Sequence, residues 1–253
     1  MGTLWWVLTS VVLACNCGQV AAGGGSGPPP TAEEILRRAD EIRNPQLDYT
    51  TIVMITSTKP GGQPRIGTYE VLVQGRDRTV IKTLAPPLDR GRVLLMRGRD
   101  VWAFLPSVSK PLRLSLRERL IGDVANGDLA RANFSGDYTP TLLRTEGAAD
   151  SRSYVLELTA NAPDVTYARV LLWVETGTFR PQRAEFYAGS GRLLKTCRYE
   201  QYVGMASELR PTRLVMSDAL VAGQQSVIAY DSMSVAPLPE KYFTKDYMKK
   251  WME

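Results

Sequence analysis

The sequence predicts a mainly β protein: one large curled antiparallel sheet of about eleven strands, covered on its concave face by an N-terminal helix and a helical lid. Three observations lead there. From Tyr49 onward, β-branched and apolar residues recur with period two in short runs. Clusters of Gly, Pro and Asp separate the runs by only a few residues, too few for a βαβ crossover, so neighbours are antiparallel. One stretch in mid-chain, 116–138, abandons the pattern. A sheet this wide curls or splits, and its apolar concave face must then be covered.

In chain order, the helix comes first. Thr31 is placed to cap it, Glu33 and Glu34 suit the positive end of its dipole, and Ile35, Leu36, Ala39 and Ile42 share one face before Asn44-Pro45 ends it. Strands follow at 49–58, 66–74 and 78–85, broken by KPGGQPR, Gly75-Arg76-Asp77 and Ala85-Pro86-Pro87. Residues 91–106, GRVLLMRGRDVWAFLP, read as a hairpin turning at Gly98, with Trp102 and Phe104 two apart and so on one strand face. Pro106 stops the strand. Residues 116–138 have three glycines, with helical pieces expected at 116–120 and 128–132, and a long irregular crossing in a compact domain reads as a functional lid. Strands resume at 141–147, 153–160, 168–176, 182–188, 192–200, 210–218 and 225–233, and KYFTKDYMKKW (241–251) reads as a final amphipathic helix. Strands of eight or nine residues reach roughly 25–30 Å, comparable with an extended acyl chain.

The chemistry is limited by what the 253 residues contain. There is no histidine, which removes the commonest general base and metal ligand, and the three cysteines, Cys15, Cys17 and Cys197, form no metal or redox spacing. Asp137, Glu157 and Glu185 make no recognisable carboxylate pair, so the sequence points away from an enzyme, and no cofactor or metal is implied. Cys197 alternates with its neighbours in LLKTCRY and fills a sheet face as a small apolar residue.

Residues 1–22 read as an export signal, with the apolar run LWWVLTSVVLA (4–14) too short for a typical membrane span. Two exits follow. Val12-Leu13-Ala14-Cys15 resembles a bacterial lipobox, whose cysteine is acylated, and Val20-Ala21-Ala22 offers an ordinary cleavage site. Residues 23–30 form a Gly/Pro tether, and 31–253 one β domain. An anchor followed by a tether holds a domain at a membrane, so the expected place is the periplasm, with an outer-membrane anchor if Cys15 is acylated. The net charge of +5 is concentrated between Arg90 and Arg119, and Arg97, Arg99, Arg113 and Arg117 suggest a basic face for anionic lipid head groups or an acidic transporter. With an export signal, nucleic acid is not the expected partner.

From Ile35 to about Leu143 the chain resembles the LolA-like family of outer-membrane lipoprotein-sorting proteins. The resemblance rests on ILRRADEIRNP, the hairpin TIVMITSTKPGGQPRIGTYEVLV, the run LLMRGRDVWAFLPS and the acidic lid GDLARANFSGDY. It implies an unclosed β-barrel whose mouth is plugged by helices and which carries a lipid or the acyl chains of a lipoprotein, beside an inner-membrane exporter. On that footing the expected cavity wall is Val53, Ile55, Val71, Val73, Leu95, Trp102 and Phe104. The expected lid contacts are Leu116, Leu120, Ile121 and Val124, with Gly122, Gly127 and Gly136 as points of backbone freedom. A monomeric carrier or acceptor is the first expectation, and an envelope sensor on the same fold the second.

Overall fold

The structure, a computed structural model, describes residue 1 and residues 28–252 apart from 109, 132, 149 and 150. Residues 2–22 of the expected signal, Cys15 among them, and 23–27 of the tether lie outside the described residues. Helix α1 (Ala32–Arg43) starts where Thr31 Oγ1 accepts the Glu34 N–H at 3.2 Å, and Asn44 leaves the helix in extended geometry. Six strands then step sideways in order: β1 (Tyr49–Thr58), β2 (Arg65–Gln74), β3 (Arg78–Ala85), β4 (Val93–Arg97), β5 (Asp100–Phe104) and β6 (Leu112–Leu114). A crossing segment holds the small hairpin of β7 (Arg119–Ile121) and β8 (Val124–Ala125) and the short helix α2 (Asn126–Ala130). Seven strands return: β9 (Tyr138–Glu146), β10 (Ser153–Ala160), β11 (Arg169–Glu175), β12 (Pro181–Tyr187), β13 (Leu193–Met205), β14 (Glu208–Asp218) and β15 (Gln225–Val235).

β15 pairs antiparallel with β1, Ile228 opposite Ile55, so the two meanders merge into one sheet of 13 described strands. Its order runs from β6 through β1 and β15 to β9, and β6 and β9 remain as unpaired edges. The barrel is therefore unclosed, and the crossing segment is the chain's route from one edge to the other. In the large sheet the strand beyond the expected set is β6, whose three residues between Pro111 and Ser115 are too short to show a period; β7 and β8, also beyond it, form their own small sheet. Residues 116–120 are not helical. Ser115 Oγ accepts the Arg117 N–H at 3.2 Å and Glu118 accepts the Ser115 N–H at 2.8 Å, and these local bonds fix a turn that leads into β7.

Alternation assigns the faces. Tyr49, Val53, Ile55, Val71, Val73, Ile81, Met96 and Val101 belong to the interior cluster with α1 and the crossing segment. Leu72, Val80, Val93, Leu95 and Phe104 point the other way and form a second cluster on the outer face. What covers that outer face is the C-terminal segment. It is a broken helix, with single turns at Glu240–Phe243 and Lys245–Tyr247 and then α3 (Met248–Met252), because Thr244 stays extended between them.

Candidate functional site

The interior lies between the curled sheet, α1 and the crossing segment. Ile35, Leu36 and Ala39 of α1 are buried against β9, β10, β12 and β14. From the other side, Leu116, Ile121, Val124 and Leu129 are buried in the same cluster, and Leu120 is half-buried against it. The tip of the β7–β8 hairpin is Gly122, with φ +56°, and a Cβ there would collide with Ser57 and Ser226 of β1 and β15. Only glycine meets both demands. A Cβ at Gly127 would collide with Thr166, whereas Gly136, φ +89°, has open space around it. Gly122 and Gly127 are thus points of close approach rather than the expected hinges of a swinging lid.

Polar contacts fasten this cover. Asp128 accepts the Ala125 N–H at 2.8 Å and the Tyr167 hydroxyl at 2.7 Å, and Lys195 Nζ lies 2.5 Å from its carboxylate and 2.6 Å from the Asp123 carbonyl. Asp40 on α1 accepts the backbone N–H groups of Phe134, at 3.0 Å, and Ser135, at 2.7 Å, and pairs with Arg43 at 2.9 Å. Thr79 donates to the Ala130 carbonyl at 2.7 Å. Across the seam, Asp137 pairs with Arg131 and with Arg99 at 3.1 Å, while Arg99 reaches Asp164 at 3.3 Å. Arg117 donates to the carbonyls of Val165, at 2.9 Å, and Pro163, at 2.5 Å. These bonds, charge-assisted except for that of Thr79, compensate the burial of these groups, and none of them belongs to the sheet ladder.

The arrangement leaves little empty space inside. Gaps of about 30 and 20 Å³ remain beside Arg43, and a pocket of about 190 Å³ opens between the β7–β8 hairpin and β3–β5. Recesses of about 400 and 140 Å³, bordered mainly by charged and polar residues, lie beside α1 at Arg38 and Arg210 and beside the hairpin at Asp123 and Asp218. Among the described residues, the apolar wall is occupied by the chain's own cover: Leu116, Ile121, Val124 and Leu129 are buried against it.

The fold as a whole recurs in solved structures. A LolA superfamily protein from Nitrosomonas europaea is 51% identical, with a TM-score of 0.83, the match covering 86% of this chain and 99% of that one. This chain belongs to the LolA superfamily. A family profile described only as that of an uncharacterized protein matches residues 75–250. A DUF1329 family protein from Desulfovibrio piger and an outer membrane lipoprotein-sorting protein domain from Vibrio parahaemolyticus, each 20% identical, share the fold. Their TM-scores are 0.76 and 0.73, with 87% and 86% of this chain and 100% and 98% of theirs covered. No curated protein matches.

For a LolA superfamily chain, the expected wall divides in two. Val53, Ile55, Val71 and Val73 face the interior. Leu95, Trp102 and Phe104 do not: Leu95 pairs with Trp102 and Val93 with Phe104 on the outer face, against the C-terminal segment, with Lys245 Nζ 3.9 Å from the Trp102 ring centroid. Both faces of β4 and β5 are buried, so aromatic bulk alone could not say which is inward. The inward residues there are Leu94, Met96, Val101 and Ala103. The basic face also divides. Arg99 and Arg117 clasp the seam, Arg113 pairs with Asp100, and only Arg97 stands exposed at its turn without such a role. The fastening residues Asp40, Asp128 and Lys195 were not expected, although a lysine in phase with Cys197 and Tyr199 was a legible signal for an inward charge.

Two titrating groups lead to predictions. Burial pushes the Cys197 thiol up to about 12, and the Asp128 carboxylate adds to it. Native protein is expected to leave the Cys197 peptide unlabelled by a maleimide until denaturant is added, as read by mass spectrometry, and labelling of the native protein as fast as of the denatured protein would contradict this. Asp123, at the hairpin tip, is raised, first by burial and then by the neighbouring Asp218, against the Gln224 amide that it accepts. For Asp218 burial acts upward, but the N–H groups of Leu220 and Val221 hold it down overall. A raised carboxyl stabilises the fold below its unfolded pKa, about 4, and loses that contribution as pH rises through its folded value. Asp123→Asn keeps an acceptor for Gln224 and is expected to be more stable than wild type at pH 7.5, with the difference shrinking at pH 4. Urea midpoints at the two pH values test this, and a variant weaker at pH 7.5 alone would refute it.

Proposed function

We propose that the protein is an exported carrier or acceptor of acyl chains, from a lipid or a lipoprotein, working between a membrane exporter and the outer membrane. The observation that carries this reading is the cover: α1 and the crossing segment fill the apolar wall of the sheet, yet side-chain and backbone polar bonds hold them there, not strand pairing. Such a cover can leave without breaking the barrel. Membership of the LolA superfamily supports the same reading, as does the signal-like run before the tether. Each acyl CH₂ moved from water to the wall is worth roughly 0.8 kcal/mol, so exchanging cover contacts for acyl contacts leaves a modest net affinity, and cargo can be handed on. The ion pairs that hold the cover require no catalytic group, and the role is binding.

Organic extraction of protein purified from its native cells, followed by mass spectrometry, is expected to release acyl-bearing molecules in near-stoichiometric amount. Extracts free of them, together with no binding of a fluorescent fatty acid by the stripped protein, would end this reading. Anchoring through Cys15 is tested separately: wild type is expected in the membrane fraction and Cys15→Ser in the soluble periplasm. Soluble wild type would leave cleavage after Ala22 as the exit.

A further inference from the structure

The pocket of about 190 Å³ between the β7–β8 hairpin and β3–β5 has a composition unlike the rest of the interior. Leu94, Ala103, Leu105 and Leu114 line it from the sheet side, and Leu120 and Ile121 from the crossing segment. Its remaining border carries Arg65, Arg92 and Arg119, against one carboxylate, Asp89, which is already paired with Arg92 at 2.9 Å. Arg65 and Arg119 are exposed, and neither makes a side-chain hydrogen bond or ion pair among the described residues. Arg119 also borders a polar recess with Asp123 and Asp218, whose charges reach it at longer range. The pocket therefore combines an apolar floor with an excess of guanidinium at its rim.

We propose that this pocket is the loading port for a phosphate-bearing amphiphile, whose acyl end starts between Leu120 and Leu94 while its phosphate rests on Arg65, Arg92 and Arg119. The inference rests on the acyl-carrier reading and names its substrate class. Guanidinium groups suit phosphate because their planar donors can meet its oxygens two at a time. Ligand pockets commonly measure about 300–1,000 Å³, so this one admits only the leading part of a chain. Further entry displaces Leu120 and Ile121, that is, the hairpin that covers the wall. A phosphate at the rim would hold the amphiphile while that happens. A diacylglyceryl-cysteine end, which has no phosphate, would gain nothing from the three arginines.

The test compares a lysophosphatidic acid with the uncharged monoacylglycerol of the same chain, on wild type and on Arg65→Ala/Arg119→Ala, by displacement of a fluorescent fatty acid. Wild type is expected to bind the phosphate lipid about tenfold more tightly, and the double variant to lose that preference while binding the neutral lipid as wild type does. Equal binding of both lipids by wild type, or a preference retained in the variant, overturns the port and leaves the carrier reading standing. Binding of neither lipid sinks both. Inorganic phosphate at millimolar concentration is expected not to displace the fluorescent fatty acid. Displacement by phosphate alone would make the rim a simple anion site and overturn the port as well.

Discussion

Asp128→Ala is expected to destabilise the protein by about 3–5 kcal/mol and to loosen the cover before the sheet. The Asp128 and Lys195 side chains are only 4% and 7% exposed, so the change strands an ammonium in the interior with the Asp123 carbonyl as its remaining hydrogen-bond partner among the described residues, beside the Tyr167 and Phe186 rings. It also removes the acceptor of the Tyr167 hydroxyl and of the Ala125 N–H. An unpaired buried charge costs far more than a pair replaced whole, so Asp128→Leu/Lys195→Met is expected to recover most of the loss. The bonds broken tie the crossing segment to itself, to Lys195 of β13 and to Tyr167 in the loop before β11, and the backbone ladder of β10–β12 is untouched. Hydrogen exchange should therefore quicken at residues 119–131 while the amides of β11 stay protected. A hydrophobic dye should bind the variant more strongly at concentrations of urea that leave the wild type dark. If the loss of stability is spread evenly over the sheet and the crossing segment exchanges at the wild-type rate, Asp128 does not fasten the cover.

What the sequence could and could not disclose follows from the range of the interactions. Thr31 with Glu34, the period-two runs and the turn at Gly98 are decided within a few residues, and each stands where the pattern puts it. Leu116, Ile121 and Val124 were readable as inward because an irregular segment with apolar side chains must bury them somewhere. Asp128 and Lys195 are 67 residues apart and meet only because the chain crosses the seam and returns. Their pairing has no local signature. Arg99 and Arg117 looked like members of a basic face because counting charges cannot distinguish a guanidinium in water from one closing on Asp137 or on a carbonyl. Gly122 looked like freedom and is in fact contact, since the seat that excludes its Cβ is made by Ser57 and Ser226, remote in sequence.

Phe243→Ala is expected to cost about 3–5 kcal/mol, a large part of the stability of a typical domain, without touching the interior. Phe243 and Met248 are 1% and 0% exposed, and they cover Leu72, Val80, Val93, Leu95 and Phe104 on the outer face. Around them Tyr242, Tyr247 and Trp251 pack together, Trp251 edge-on to both tyrosines, with ring centroids 5.0–5.5 Å apart, and Lys82 Nζ sits 4.3 Å from the Trp251 ring centroid. The aromatic pair Trp102 and Phe104 thus finds its apolar surroundings outside the barrel, in the amphipathic C-terminal stretch, which needed a partner of its own. Deleting residues 241–253 should expose the whole outer cluster and give an aggregating protein. The two faces then separate by experiment. Phe243→Ala and Trp102→Glu should lower the urea midpoint while the folded fraction binds a fluorescent fatty acid as wild type does, whereas Val71→Glu, on the inner wall, should abolish binding in whatever fraction folds. Loss of acyl binding in a folded Trp102→Glu protein would mean that ligand reaches the outer face, and that the C-terminal segment, not the crossing segment, is the part that moves.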